Sequence, residues 1–245
     1  MQSVFAVASA VALAWGAAAG HAPHWSYEGA EGPGHWGAIS PDFATCGTGT
    51  AQSPIDIGGF DAHGATTIST DYHAGPLTLL NNGHTVQANF APGSKLTSGG
   101  HDFTLIQVHF HTPSEHIVSG KHYPLVAHFV HADSHGALAV LGVFFEEGPA
   151  NPELAKLVAA APAHPEAAHA IDGVTLDPNG LVPASHSVYR YSGSLTTPPC
   201  TEGVNWHVAM EHMTASSEQI AALHAIMGDN ARPVQALNDR HLVSN

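Results

Sequence analysis

The chain has 245 residues, of which 44% are apolar, enough to bury the core of one large domain or two small ones. Charged residues make up only 11%, and 6 Lys and Arg against 20 Asp and Glu leave a formal net charge of −14, with the 21 histidines counted as neutral. This composition excludes a disordered or collagen-like chain, and its acidity argues against nucleic acid and against a polybasic contact with a membrane surface.

Residues 1–20 form an apolar, alanine-rich stretch without Asp, Glu, Lys or Arg. Small residues follow it, and the combination predicts a secretory signal peptide over residues 1–22, with cleavage near Ala19 to Ala22. The apolar run within this stretch is short for a membrane span of about 20 apolar residues, and an N-terminal anchor or a buried helix is the alternative. We therefore expect a periplasmic or secreted protein with no membrane segment after cleavage.

The rest of the chain shows no internal repeat and no linker that would divide it. Residues 23–53, rich in glycine, proline and aromatic residues, predict an irregular, packed arm. Beyond them, short apolar or alternating runs between Gly, Asn and Pro predict a β-rich single domain. The predicted strands are 77–80, 84–90, 102–111, 123–131, 137–145 and 204–210.

Two helices are expected among these strands. Asn151 as N-cap and Pro152 at the first helical position predict a helix over 153–161. A capping-box pattern at 216–219 predicts a second helix, which ends near Met227 with Gly228 as its C-terminal cap.

The chain has two cysteines, Cys46 and Cys200. In an exported protein the simplest expectation is one disulfide between them, and two buried free thiols are the alternative. The bridge would close a loop of roughly 155 residues, for which the chain-entropy model gives at most about 4–5 kcal/mol of stabilisation.

Histidines cluster on two of the predicted strands. Gln107, His109 and His111 would share one face, because side chains two residues apart on a strand point the same way. The run 123–131 is close enough to pair antiparallel with this strand and to bring His128 opposite the first two histidines. Three neutral imidazoles on one face would form a zinc site with the fourth position open, as in catalytic sites. In a chain so rich in histidine, an accidental His-x-His pair is the alternative.

A series of ordered sequence blocks, including Gln-Val-His-Phe-His at 107–111 and Ser-Leu-Thr-Thr-Pro-Pro-Cys at 194–200, closely resembles the α-class carbonic anhydrases, in particular the bacterial exported members. The blocks span most of the chain after the predicted signal and lie at 24–27, 34–36, 52–57, 81–84, 107–111, 114–116, 127–131, 139–144, 191–200 and 231–233.

The resemblance implies an α+β fold: one catalytic domain over residues 23–245, built on a central, mainly antiparallel twisted sheet of about ten strands with short peripheral helices. It implies Zn²⁺ on His109, His111 and His128, with water as the fourth ligand. It also implies reversible hydration of CO₂ to bicarbonate and a proton by zinc-bound hydroxide, with inhibition by sulfonamides and anions. The positions of Cys46 and Cys200 match the disulfide of exported members.

By the same resemblance, Thr196 is the hydroxyl that orients the nucleophile, Glu115 is the buried carboxylate that accepts its proton, and His84 is the proton shuttle. Without the resemblance, Thr196 would be interpreted as a turn residue, Glu115 as a surface acid and His84 as an exposed histidine without a role. The family pattern places further residues in the water network between zinc and shuttle, namely Tyr27, Asn82 and Gln87, with His24 and His35 as secondary relays. It places a CO₂ pocket on Val130, Val140, Leu195, Thr197, Val204 and Trp206, for which ordinary core packing is the alternative.

The ligands also need partners for their second ring nitrogens. The resemblance implies that Gln107 accepts from His109, and that the backbone carbonyl of Asn230 holds His111. The third ligand departs from the pattern, because Val126 stands where the family usually has Glu and cannot accept from the ring of His128. Since such losses typically cost 10–100-fold in metal affinity or activity, we expect weaker or faster-exchanging zinc unless water or another carboxylate substitutes.

Two other functions compete with an active zinc lyase. One is a carbonic-anhydrase-like binding protein without catalysis, although such relatives usually lack a ligand histidine and this chain keeps all three. The other is a periplasmic zinc or copper buffer, although the histidines here are scattered and do not form a dense tract.

Overall fold

The protein is described by a computed structural model over residues 23–245, so the predicted signal peptide lies outside the described residues. The strands are β1 (Asp56–Ile57), β2 (Ala62–His63), β3 (Ile68–Asp71), β4 (Gly75–Asn81), β5 (Val86–Asn89), β6 (Lys95–Ser98), β7 (His101–His111), β8 (Ile117–Val118), β9 (Leu125–Ala132), β10 (Leu138–Glu147), β11 (Glu166–Leu176), β12 (Val188–Ser194), β13 (Glu202–Ala209), β14 (Met213–Ala215) and β15 (Val243–Ser244). The α-helices are α1 (Trp36–Ile39), α2 (Thr45–Thr48), α3 (Pro152–Ala160) and α4 (Ser217–Met227), and short 3₁₀ helices occupy Gly29–Glu31, Pro41–Phe43 and Pro178–Leu181.

Thirteen strands form one large sheet. Ten of them follow one another in the order β11-β4-β5-β7-β9-β10-β13-β12-β15-β2, while β3, β6 and β14 pair off this path. Neighbours run antiparallel, except that β10 is parallel to β13 and β14, and β15 is parallel to β2. Strands β1 and β8 form a separate parallel pair. The prediction of a single domain on a mainly antiparallel sheet of about ten strands is confirmed.

The two faces of the sheet carry different apolar clusters. On β9 the side chains alternate, so that Phe129 joins a large core with Val108 and Phe110 on the neighbouring β7. Val126, two residues before His128 and therefore on the same face of β9, joins a second cluster with Trp206 of β13. The histidines of interest thus lie beside the second cluster, at the middle of the sheet.

Both predicted long helices form, with the caps that the sequence indicates. The Asn151 side chain accepts hydrogen bonds from the backbone N–H groups of Glu153 and Leu154 at the start of α3. Ser216 and Gln219 form the capping box of α4, and Gly228 follows its end at a φ of 66°, which favours glycine. No helix within residues 23–245 has the length and apolar character needed to span a bilayer.

Several strands lie outside the predicted runs, the longest being β11. Most of its side chains are exposed, so it lacks the apolar alternation that marks a half-buried strand. It lies at the edge of the sheet, and its strand structure depends on pairing with β4, which carries the buried Leu77 and Leu79. The strand structure of β11 is therefore determined by its pairing with β4 and not by its own sequence pattern.

The N-terminal arm is packed as predicted, around Trp25, Trp36 and Phe43. Cys46 of α2 is bonded to Cys200, with their Cα atoms 5.0 Å apart, so the prediction of one disulfide is confirmed. The bridge attaches the arm to the loop that follows β12.

Candidate metal centre

Strands β7 and β9 bring three histidines together in the middle of the sheet. The antiparallel register places His109 directly opposite His128, and His111 lies two residues further along the same face. The ring centres are 4.8–5.3 Å apart. One ring nitrogen from each lies within 4.8 Å of the others, which is close enough for one metal ion to bind all three.

For His109 and His111, a hydrogen bond selects the nitrogen that faces this centre. Nδ1 of His109 lies 2.8 Å from Oε1 of Gln107, and Nδ1 of His111 lies 2.8 Å from the backbone oxygen of Asn230. Both acceptors require a proton on Nδ1, so that Nε2 of each ring carries the lone pair that a metal needs. The structure thus places both predicted acceptors in contact with their ligands.

The ring of His128 faces the centre with the opposite nitrogen. Its Nδ1 lies 3.8 Å from Oε2 of Glu115, on the side of the other two histidines. Its Nε2 edge is turned toward β10, where a Cβ built on Gly142 would lie 3.9 Å from it. This buried Nε2 has no hydrogen-bond partner in the described part of the chain, as expected with Val126 in place of an acceptor.

The donor set fits a zinc ion. Burial lowers the pKa of His109 and of His128 well below the ordinary value for histidine, and the neighbouring histidines add to the effect. Both imidazoles are therefore neutral at ordinary pH, which is the form that binds metal. Three histidine nitrogens with no fourth protein ligand among the described residues match a catalytic zinc site more closely than a closed structural one.

A buried carboxylate lies behind the histidines. Oε1 of Glu115 accepts the backbone N–H of Arg232 at 2.9 Å, and Oε2 lies 3.4 Å from Nε2 of His111. Burial raises the pKa of Glu115, while His111, the Thr196 hydroxyl and Arg232 oppose that shift. Glu115 and Thr196, predicted as partners, are thus neighbours.

The residues predicted for a CO₂ pocket also come together. Val140, Val204 and Trp206 are buried in one apolar cluster, against which Val130 and Leu195 pack. The cluster reaches the metal centre through Trp206, whose ring lies 4.9 Å from that of His128. Thr197 is half-buried in the adjoining loop, where its carbonyl accepts the N–H of Cys200.

The predicted shuttle, His84, stacks on an indole ring. It lies 3.7 Å from Trp25 with the ring planes 9° apart, and Tyr27 meets it edge-on at 6.3 Å. Burial lowers the pKa of His84, and His24 adds to this effect. The exposed His24 itself contacts Glu31 at 2.9 Å. His35 is exposed at the start of α1.

Two residues predicted for the water network already have protein partners. Oδ1 of Asn82 accepts the N–H groups of His84 and Thr85, so this oxygen shapes the turn that carries the shuttle. Gln87 donates to Asn89 at 2.7 Å and lies opposite His109 in the ladder. Their part in ordering water stays a prediction.

Two buried residues gained no role from the sequence although they lie in the matched blocks. The guanidinium of Arg232 donates to Gln52, to the carbonyl of Ser53 and to that of Cys46, which joins the N-terminal arm to the metal centre. His116 is buried beside His128. For His116 the available signal was its position directly after Glu115 in the sequence. The residues that both side chains contact are distant in sequence, so no local pattern indicated these contacts.

A trihistidine centre on a twisted sheet, flanked by an apolar cluster and a buried carboxylate, is the kind of site that a mononuclear metalloenzyme has. The sequence model described as eukaryotic-type carbonic anhydrase matches residues 31–245. The chain therefore belongs to this family of zinc lyases, the α-class carbonic anhydrases.

Individual relatives agree with this assignment. The carbonic anhydrase of Klebsiella pneumoniae is 47% identical over 227 residues, which cover 91% of each chain. That of Pectobacterium atrosepticum is 41% identical over 244 residues, covering 99% of this chain and all of the relative. The α-carbonic anhydrase of Thermovibrio ammonificans, solved in complex with the inhibitor sulfanilamide, superposes with a TM-score of 0.87 at 44% identity and covers 91% of this chain and 99% of its own. The resemblance found in the sequence is confirmed.

Proposed function

We propose that this protein catalyses the reversible hydration of CO₂ to bicarbonate and a proton, with Zn²⁺ held by His109, His111 and His128. The observation that carries the proposal is the convergence of three ring nitrogens in one buried centre, two of them with their proton held on the opposite nitrogen. Carbonic anhydrases are the standard example of zinc lowering the pKa of a bound water to about 7, which supplies a nucleophile at neutral pH.

Thr196 and Glu115 orient the reacting solvent. An ionised carboxylate only accepts hydrogen bonds, so Glu115 accepts the hydrogen bond that the Thr196 hydroxyl donates. The Thr196 oxygen is then left as an acceptor, and a solvent O–H must point toward it. A divalent cation bound to the histidines would favour the ionised form of Glu115, against the effect of burial.

The apolar wall receives the substrate. CO₂ has no net dipole, so a surface formed by Val140, Val204 and Trp206 suits it better than it suits water or the bicarbonate product. Thr197 and Leu195 would close this pocket from the loop that the disulfide attaches to the N-terminal arm.

His84 carries the product proton to bulk solvent. A histidine at the edge of the site is the side chain best suited to this step, because its ordinary pKa is near neutrality. Its half-buried ring, stacked on Trp25 and close to Tyr27, supports a relay through ordered water from the metal centre.

We also propose that the protein acts outside the cytoplasm, in the periplasm or after secretion. The Cys46–Cys200 bridge supports this, because such bonds persist in oxidising compartments. Together with the signal-like composition of residues 1–22, it indicates export.

The test combines zinc analysis with stopped-flow CO₂ hydration, with and without a sulfonamide. We expect one zinc per chain and turnover that the sulfonamide abolishes. Zinc without turnover would instead identify a carbonic-anhydrase-like binding protein, and several loosely held metals would identify a metal buffer.

A further inference from the structure

Val126 leaves a proton of the third metal ligand without an acceptor. When Nδ1 of His128 binds a metal, the ring proton must lie on Nε2. This nitrogen is buried, and no group within residues 23–245 accepts from it. A buried donor left in this state is costly, so the surroundings of Nε2 decide how firmly the ring is held in its metal-binding orientation.

A second unpartnered nitrogen lies on the adjacent ring. His116 is fully buried, and its ring centre is 6.1 Å from that of His128. Its Nε2 lies 2.7 Å from the hydroxyl of Tyr191, which lies 2.7 Å from Oγ of Ser53. Oγ of Ser53 in turn accepts the backbone N–H of Ser194. One end of the His116 ring is therefore fixed, while Nδ1 at the other end has no partner among the described residues.

The two rings are too far apart for a direct bond between them. A nitrogen-to-nitrogen hydrogen bond of about 2.9 Å needs ring centres closer than the observed 6.1 Å. The backbone also leaves room beside the Nε2 edge of His128, since a Cβ added to Gly142 would meet its Cδ2 at 3.6 Å and Nε2 at 3.9 Å, in ordinary contact. One water bonded to both of these buried ring nitrogens would give each of them a hydrogen-bond partner.

We propose that one buried water joins Nε2 of His128 to Nδ1 of His116 in the metal-loaded protein. The His116–Tyr191–Ser53 chain then replaces the carboxylate that is usual in the family at position 126. The water can accept from His128 and either donate to Nδ1 of His116 or accept from it, so it can bond to either tautomer of His116. His116 is thereby a positioning residue for the third ligand. This inference rests on the proposed zinc site and is independent of turnover.

The experiment measures zinc release from the loaded protein to an excess of a strong chelator. We expect His116→Phe, which removes both ring nitrogens, to accelerate release roughly tenfold or more. His116→Asn, whose amide lies where Nδ1 was, should restore most of the wild-type rate. The matched control is His131→Phe, which also removes a buried imidazole. His131 lies on β9, contacts Tyr72 and faces the side of the sheet opposite to His128.

A spectroscopic readout separates positioning from a general loss of structure. We expect the ring N–H proton of His128 to give a slowly exchanging resonance in the proton NMR spectrum of the zinc-loaded protein. The resonance should shift or exchange faster in His116→Phe and stay unchanged in His131→Phe.

The role of His116 can also be tested in the Val126→Glu variant. In Val126→Glu a carboxylate accepts directly from His128, so zinc release should slow and His116→Phe should lose most of its effect. Equal release rates in wild type and His116→Phe, or an equal effect of His116→Phe in both backgrounds, would overturn the inference. Failure of the proposed function is distinguishable, because it would show as a wild-type protein that holds no zinc or does not hydrate CO₂.

Discussion

The indole ring of Trp25 lies flat against the imidazole of His84, with ring centres 3.7 Å apart and the planes 9° from parallel. Trp25 belongs to the N-terminal arm, whereas His84 follows β4, so this contact joins two distant parts of the chain. It covers one face of the His84 ring, and burial of this ring is the main cause of its lowered pKa.

Removing the shuttle should slow proton release without affecting the chemistry at zinc. For His84→Ala we expect kcat to fall about tenfold or more in weak buffer, while kcat/KM for CO₂ stays near wild type. Added imidazole should restore kcat, since it can carry the same proton. Stopped-flow hydration over a range of buffer concentrations measures both quantities. His135→Ala, at an exposed position in the β9–β10 turn, is the control, and an unchanged kcat in His84→Ala would remove His84 from the mechanism.

Replacing Trp25 should raise the pKa of His84. Trp25→Leu exposes one face of the imidazole, so the charged form is better hydrated and the pKa moves up toward the ordinary value of about 6.5. An NMR titration of the His84 ring protons measures this shift. The circular dichroism of the variant should match wild type; a pKa that stays in place would show that the stack is not what lowers it.

The hydroxyl of Thr196 should contribute more to catalysis than the size and shape of its side chain. We expect Thr196→Ala to lower kcat/KM roughly 10–100-fold with zinc content unchanged, because no acceptor then orients the reacting solvent. Thr196→Ser keeps the hydroxyl beside Glu115 and should retain most of the activity. Metal analysis accompanies the kinetics, and equal losses in the two variants would argue against the hydrogen-bond role.

Acid should destabilise the zinc-free protein well before its carboxylates titrate. Burial lowers the pKa of His116 and His131 to about 3 and that of His207 to about 4, whereas all three titrate near 6.5 when unfolded. The unfolded chain therefore binds more protons below pH 6.5. The stability from these groups is complete above that pH and is lost as the pH falls toward about 4 for His207 and about 3 for His116 and His131.

The size of the effect follows from linkage. Each group contributes up to about 1.4 kcal/mol per pH unit once the pH is well below 6.5. Urea unfolding of zinc-free protein at constant ionic strength between pH 7.5 and about 5 measures the slope. His131→Phe should reduce it by one group, and a stability that does not change over this range would contradict the neutral burial of the three rings.

Loss of the disulfide should weaken the whole fold. Cys46 and Cys200 are 154 residues apart, and opening so large a loop is expected to cost at most about 4–5 kcal/mol in unfolding free energy. Urea unfolding of the Cys46→Ala/Cys200→Ala double variant against oxidised wild type gives the difference. A loss below about 1 kcal/mol would show that Arg232 and its partners hold the arm without the bridge.

The sequence by itself determined the features that depend on neighbours a few residues away. The two-residue repeat on a strand places Gln107, His109 and His111 on one face, and short capping patterns start α3 and α4 where predicted. The spacing of the two strand-like runs also indicated His128 as the third ligand, the cysteine pair indicated one disulfide, and the family blocks agreed with both. The predicted strand faces and helix starts agree with the structure because strand alternation and helix capping are local interactions.

The tertiary structure alone decided which distant groups complete the site. The contacts of the Arg232 side chain, the stack of Trp25 on His84 and the unpartnered Nδ1 of His116 beside His128 all depend on side chains that are remote in sequence or reached only through the sheet. The exposed edge strand β11 likewise exists because β4 offers a ladder for it. No local pattern encodes such contacts, because their free energy is gained only when the sheet has brought the partners together.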